Sequence, residues 1–152
     1  MNHISALLPV SNIVVDLDVA SKADSFAAIA ALFERTAGLV KASVAASLAA
    51  REKLGSTGLG QGIAIPHGRI PKLSHALGAF ARLRAPIAFD APDGKPVDQL
   101  FVLLVPEQAT DQHLQLLSEL AQMFSERAFR ERLATAATAD EIHAVFRGWQ
   151  PH

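Results

Sequence analysis

The apolar positions of this chain switch between helical and strand periodicity several times. Phe26, Ile29, Ala30, Phe33 and Ala37 recur at three- and four-residue spacing and so share one face of a helix. Ser21 is placed as its N-cap, Asp24 lies in its first turn, and Gly38 stops it. A second helix is expected over about Lys41 to Leu54, with Val44, Leu48 and Arg51 on one face and Lys53 roughly opposite. Ahead of these, Ile4 to Leu8 suits one helical turn, and the β-branched run Asn12 to Asp16 a short strand. Leu77 to Leu83 alternates loosely as a strand, Pro86 to Asp90 is a separate short extended piece, and Asp93-Gly94 marks a turn. Leu100 to Val105, the most hydrophobic run, ends at Pro106 and reads as a central strand buried on both faces. Helical spacing then returns at His113, Leu116, Leu117, Leu120 and Phe124, behind Thr110 as cap, and in a shorter helix at Phe129 and Leu133. Thr138 and Glu141 form a capping box ahead of Ile142, Val145, Phe146 and Trp149. This order predicts an α/β sandwich, a central mixed β-sheet flanked by α-helices, in one domain over residues 1–152 with its core at about 7–147.

Composition narrows the function. Half of the 152 residues are apolar, yet no run approaches the roughly 18 to 20 needed to cross a bilayer. The N-terminus lacks a basic region followed by a long apolar stretch, so a cytoplasmic protein without membrane insertion is expected. The absence of cysteine removes disulfides, thiolate metal sites and cysteine nucleophiles. A net charge of −1 with dispersed Lys and Arg argues against a nucleic-acid partner.

The chemistry concentrates between Arg51 and Arg69, in REKLGSTGLGQGIAIPHGR. A loop holding Gly55, Gly58, Gly60 and Gly62 leads into Ile63-Ala64-Ile65 and then Pro66-His67-Gly68. Pro66 fixes its own φ and drives Ile65 to an extended conformation, so the approach to His67 is stiff. The expectation is an imidazole at a strand end, with Gly68 turning the chain away into a loop over Arg69 to His75. A P-loop would need Lys and then Ser or Thr after Gly60, where Gln61 and Gly62 stand, and no G-x-G-x-x-G is completed. Histidine spacings match no zinc site and there is no Gly-x-Ser-x-Gly elbow, so neither metal nor cofactor is expected. His3, His75, His143 and His152 read as ordinary surface histidines.

His67 and His113 remain, with Arg51 as a possible third member. Arg51 admits two readings, a stem lying over apolar surface or a cation aimed at His67. His113 likewise is either a satisfied core residue or a site residue in the first turn of its helix, where free N–H groups favour an anion. A neutral imidazole can attack phosphorus and hold a phosphoryl group, whose roughly two negative charges then require nearby donors.

REKLGSTGLGQGIAIPHG resembles the phosphorylation-site signature of the fructose/mannitol-type (type 2) enzyme IIA domains of the phosphoenolpyruvate-dependent phosphotransferase system. PIAFDAPDGKPVDQLFVLLVP, followed by His113-Leu114, is similar to the nitrogen-regulatory members of that family, and the likeness runs from about Leu7 to Phe146. The resemblance implies that His67 is the phosphorylated residue, through Nε2, that His113 is the second active-site histidine, and that Arg51 is the active-site arginine. Ser56 and Thr57 match the family's Ser-Thr pair, in a supporting role. It further implies a histidine phosphotransferase that accepts phosphate from an HPr- or NPr-type carrier protein, with potassium-transport proteins or sensor kinases as regulatory targets. The alternative is a sugar-transport IIA component passing phosphate to a IIB cysteine. A binding module whose His67 is never phosphorylated is the third reading.

Overall fold

The computed structural model describes residues 2–109 and 111–151. Ser21 caps α2 (Lys22–Ala37) by accepting the Asp24 N–H, and Gly38 closes it at φ 69°. α3 (Lys41–Lys53) follows with Val44 and Leu48 buried. A short α1 (His3–Ala6) precedes both, and α4 (Asp111–Ser125), α5 (Arg127–Thr135) and α6 (Ala139–Gly148) close the chain. Thr138 accepts the Glu141 N–H, while the Glu141 carboxylate accepts from Ala137 N–H at 2.7 Å. Thr110, expected to cap α4, and His152 lie outside the described residues.

The strands are β1 (Ile13–Leu17), β2 (Gly58–Gly60), β3 (Ile63–Ala64), β4 (His67–Ile70), β5 (Leu77–Ile87) and β6 (Val97–Pro106). They form one sheet in the order β1-β5-β6-β3-β2, with β4 also on β6. Pairings β1–β5, β3–β6 and β4–β6 are parallel, while β5–β6 and β2–β3 are antiparallel. The expected mixed sheet between helices is therefore the observed architecture. β6 is its centre, as its continuous apolar run predicts. Phe101, Leu103 and Val105 enter one core with α4, α5 and α6, and Leu100, Val102 and Leu104 enter the other with α2 and α3.

Three strand expectations are corrected. Asn12 belongs to a 3₁₀ turn and not to β1, because its buried amide donates to Gly78 O and accepts from Thr36 Oγ1. Leu77–Ile87 is one strand, not two pieces, since Pro86 is absorbed where the β5–β6 register shifts between Arg82 and Ile87. The third correction concerns His67. It opens β4 and does not end a strand, so the expected loop from Arg69 begins only after Ile70.

β3 and β4 are in effect one strand with a gap. Ile63 lies opposite Gln99 and His67 opposite Leu103, the same offset on both sides of the break. Pro66 has no N–H to offer the ladder, which interrupts regular pairing without changing its register. Gly68 consequently serves close packing and not a turn: a Cβ there would overlap Ser47 Oγ on α3.

In the α4–α6 core, the Phe146 ring lies 5.3 Å from Phe129, 5.4 Å from Phe80, 5.6 Å from Phe101 and 6.2 Å from Phe124. Phe146→Ala is expected to lower stability by about 3–5 kcal/mol in urea unfolding, since four rings cannot all close on the cavity.

Candidate functional site

Period-two alternation through Ile63 and Ile65 puts His67 on the α4 side of the sheet. Its half-buried ring meets His113 from α4 edge-on, with ring centroids 5.2 Å apart and planes at 65°. Arg51, one turn beyond buried Leu48 on α3, donates from Nε to His67 Nε2 at 3.2 Å and from Nη1 to Gly55 O at 2.8 Å. The structure therefore brings together the three residues singled out from the sequence.

The imidazole contacts define its protonation. His67 Nδ1 lies 2.9 Å from the Ile65 carbonyl, which can only accept, so Nδ1 carries the proton. Nε2 faces a guanidinium N–H, which can only donate, so it carries the lone pair. Only the neutral Nδ1–H tautomer satisfies both contacts at once. Burial and the Arg51 charge push the His67 pKa below its ordinary value, outweighing the Ile65 carbonyl and the Glu52 charge, which act in the opposite sense. The His113 pKa is also lowered, first by burial and then by the fields of His67, Arg69 and Arg51. His113 Nε2 is buried and has no hydrogen-bond partner among the described residues.

Because both folded pKa values lie below those of the unfolded chain, the unfolded state takes up protons first on acidification. Stability is thus fully present above the ordinary histidine pKa of about 6.5 and falls as pH drops from there through the folded values. The urea midpoint should fall between about pH 7.5 and pH 5. The His67→Gln/His113→Gln variant should show a shallower fall.

Ser56 and Thr57 line the same cavity of about 340 Å³ as Arg51 and His67, together with exposed Leu59 and with Leu117, Ser118 and Ala121 of α4. Their hydroxyls, however, are committed to the loop. Ser56 Oγ donates to Phe89 O at 2.9 Å and accepts the Gly58 N–H. Thr57 Oγ1 donates to Glu52 at 2.6 Å. Beyond Thr57, the loop is a tight hairpin in which Gln61 (φ 59°) and Gly62 (φ 80°) link β2 to β3.

Sequence reasoning missed Glu52. Its side chain is only 6% exposed, pairs with Lys22 Nζ at 2.9 Å, and also accepts the Thr57 N–H. The available signal was its place four residues after Leu48, an acid on an apolar helix face that requires a partner. His3, His75 and His143 line a separate cavity of about 690 Å³ that shares no residue with the His67 site. Among the described residues, no group of three or more His, Asp or Glu is placed to hold a metal ion.

Residues 6–148 match the family described as phosphoenolpyruvate-dependent sugar phosphotransferase system, EIIA 2. The chain belongs to that family. A nitrogen regulatory protein of Pseudomonas aeruginosa is 52% identical over 99 residues, 65% of this chain and 64% of the relative's own length. A second, from Bradyrhizobium diazoefficiens, is 40% identical over 129 residues, covering 85% of this chain and 84% of that protein. The crystal structure of nitrogen regulatory protein IIA-Ntr from Neisseria meningitidis superposes with a TM-score of 0.90 at 53% identity, over 95% of this chain and 99% of that one. IIA mannitol from Escherichia coli shares the fold alone, with a TM-score of 0.75 at 20% identity over 90% of this chain and 96% of that one. The EIIA type 2 family and the likeness to its nitrogen-regulatory members agree with the resemblance read from the Arg51–Gly68 signature. No helix among the described residues is long and apolar enough to cross a membrane.

Proposed function

We propose that this chain is a phosphocarrier of the nitrogen-regulatory branch of the phosphotransferase system, with His67 Nε2 as its phosphoryl acceptor. The observation that carries the reading is the neutral Nδ1–H tautomer, which leaves the Nε2 lone pair beside Arg51 and the His113 ring. The donor is a phosphohistidine on a small carrier protein of the NPr or HPr type. The lone pair of Nε2 attacks phosphorus in line as the donor's P–N bond breaks, and that bond's electron pair returns to the donor imidazole. No proton has to leave the attacking nitrogen. Arg51 turns from Nε2 to a phosphoryl oxygen, and His113 supplies a further contact, so catalysis is mainly positioning and charge stabilisation. Exposed Leu54, Leu59 and Leu114 supply apolar area for a transient docking of the carrier in the cytoplasm.

The phosphorylated and free forms would then be read by different partners, among them potassium-transport proteins or sensor kinases. Identities of 52% and 53% to nitrogen-regulatory proteins favour this output over sugar transport. The fructose-specific component of Haloferax volcanii, for comparison, is 39% identical over 99 residues. Incubation with phosphoenolpyruvate, the first enzyme of the system and either carrier should place an acid-labile, alkali-stable phosphate on His67 Nε2. Absence of label from both carriers would overturn the reading. Transfer onward to a IIB cysteine would reassign the chain to sugar transport. A pull-down comparing His67→Ala with the phosphate-mimicking His67→Asp would show which partners distinguish the two states.

A further inference from the structure

We propose that Glu52, held by Lys22, is a positioning residue for His67 that acts through the backbone of Thr57 and Ile65. The inference rests on His67 as the acceptor but follows from a different set of contacts. Glu52 Oε1 accepts from Thr57 Oγ1 at 2.6 Å, and both carboxylate oxygens lie 3.2 Å from the Thr57 N–H. The Thr57 carbonyl accepts the Ile65 N–H at 3.0 Å. The Ile65 carbonyl in turn accepts the His67 Nδ1 proton at 2.9 Å. A continuous path therefore runs from the Lys22 ammonium to Nδ1, the imidazole nitrogen across Cε1 from the reacting one.

Each link is constrained. Lys22 Nζ also reaches Asp90 Oδ2 at 3.2 Å and sits 4.7 Å above the Phe89 ring, whose own carbonyl holds Ser56. The two residues of the Ser-Thr pair are thus anchored on one cluster from two directions. Ile65 is restrained from both sides, by Thr57 at its N–H and by the following Pro66, which keeps it extended. Its carbonyl consequently has little freedom to leave Nδ1. If Thr57 shifts, that carbonyl moves with it, and of the two contacts that select the proton's position only the Arg51 N–H at Nε2 is left. The other tautomer would place a proton on Nε2, removing the lone pair and opposing the Arg51 N–H.

A carboxylate that only tied α3 to the loop would contribute to stability alone. The relay makes a separate demand, that losing Glu52 changes where the His67 proton resides. Two-bond ¹H–¹⁵N correlation spectra of the unphosphorylated protein near neutral pH read this directly. Wild type should show Nδ1 protonated and Nε2 bare. Glu52→Ala should show a mixture of tautomers and slow single-turnover phosphotransfer between about 10- and 100-fold, with donor affinity unchanged. Glu52→Gln keeps an acceptor for Thr57 and should recover part of both, and it carries the test if the alanine variant does not fold. Phe146→Leu, a core change outside the relay, controls for lost stability and should leave the tautomer as in wild type. A pure Nδ1–H signal with a wild-type rate in folded Glu52→Ala or Glu52→Gln would overturn the proposal. Failure of the phosphocarrier reading is seen separately, as a wild-type protein with the expected tautomer that takes no label.

Discussion

His67→Ala should take up no detectable phosphate from phosphoenolpyruvate through either carrier, while folding as the wild type does. The expectation is absolute because the proposed acceptor atom itself is removed, and neither neighbour can replace it. Arg51 remains a cation with no lone pair. His113 stands edge-on beside the His67 ring, with Nε2 buried. The fold should tolerate the change, since His67 is half-buried at the beginning of β4 and the pairing of that strand with β6 uses backbone groups. Removing an imidazole with a depressed pKa should also remove its share of the stability lost on acidification. Label on His67→Ala comparable to wild type would move the acceptor elsewhere and leave the His67 geometry without its proposed purpose.

Where physical cause was local, the sequence was readable. Ser21 and Gly38 bracket α2 because a cap and a left-handed stop act within a few residues of themselves. The apolar run of β6 announced a strand covered on both faces because no polar residue interrupts Leu100 to Val105. Spacing placed Arg51 on the inner face of its helix and Pro66 marked a stiff approach to His67, but local pattern left Arg51 two readings, and the family resemblance joined the two residues in one site. The misreadings came from partners distant in sequence. Pro66 looked like the end of a strand, yet β6 supplies the same register on either side of it, and His67 resumes the ladder. Gly68 looked like a release, but the reason for glycine there is Ser47 on α3. Pro86 looked like a boundary, but β5 absorbs it at a register shift. Glu52 could be suspected as an acid on an apolar face, whereas Lys22, on α2, could not be named as its partner from spacing.

Arg51→Ala should slow phosphoryl transfer to His67 by about 10²- to 10³-fold, the usual cost of removing one preorganised donor from a developing anion. Two effects combine at this residue. In the resting protein the guanidinium holds the Nε2 lone pair in place through Nε and braces the loop at Gly55 through Nη1. Its charge also helps keep the imidazole neutral, so its loss should raise the His67 pKa towards the ordinary value. The variant should therefore be slow at every pH and lose further activity on acidification earlier than the wild type, as more of its His67 becomes protonated. Arg51→Lys separates the two contributions. An ammonium restores the positive charge, and with it the low pKa, but cannot reach Nε2 and Gly55 together from one planar group. Its pH profile should resemble the wild type while its rate remains well below it. A lysine variant that transfers phosphate at the wild-type rate would reduce Arg51 to a point charge. An alanine variant with an unchanged rate would leave it only its bond to Gly55.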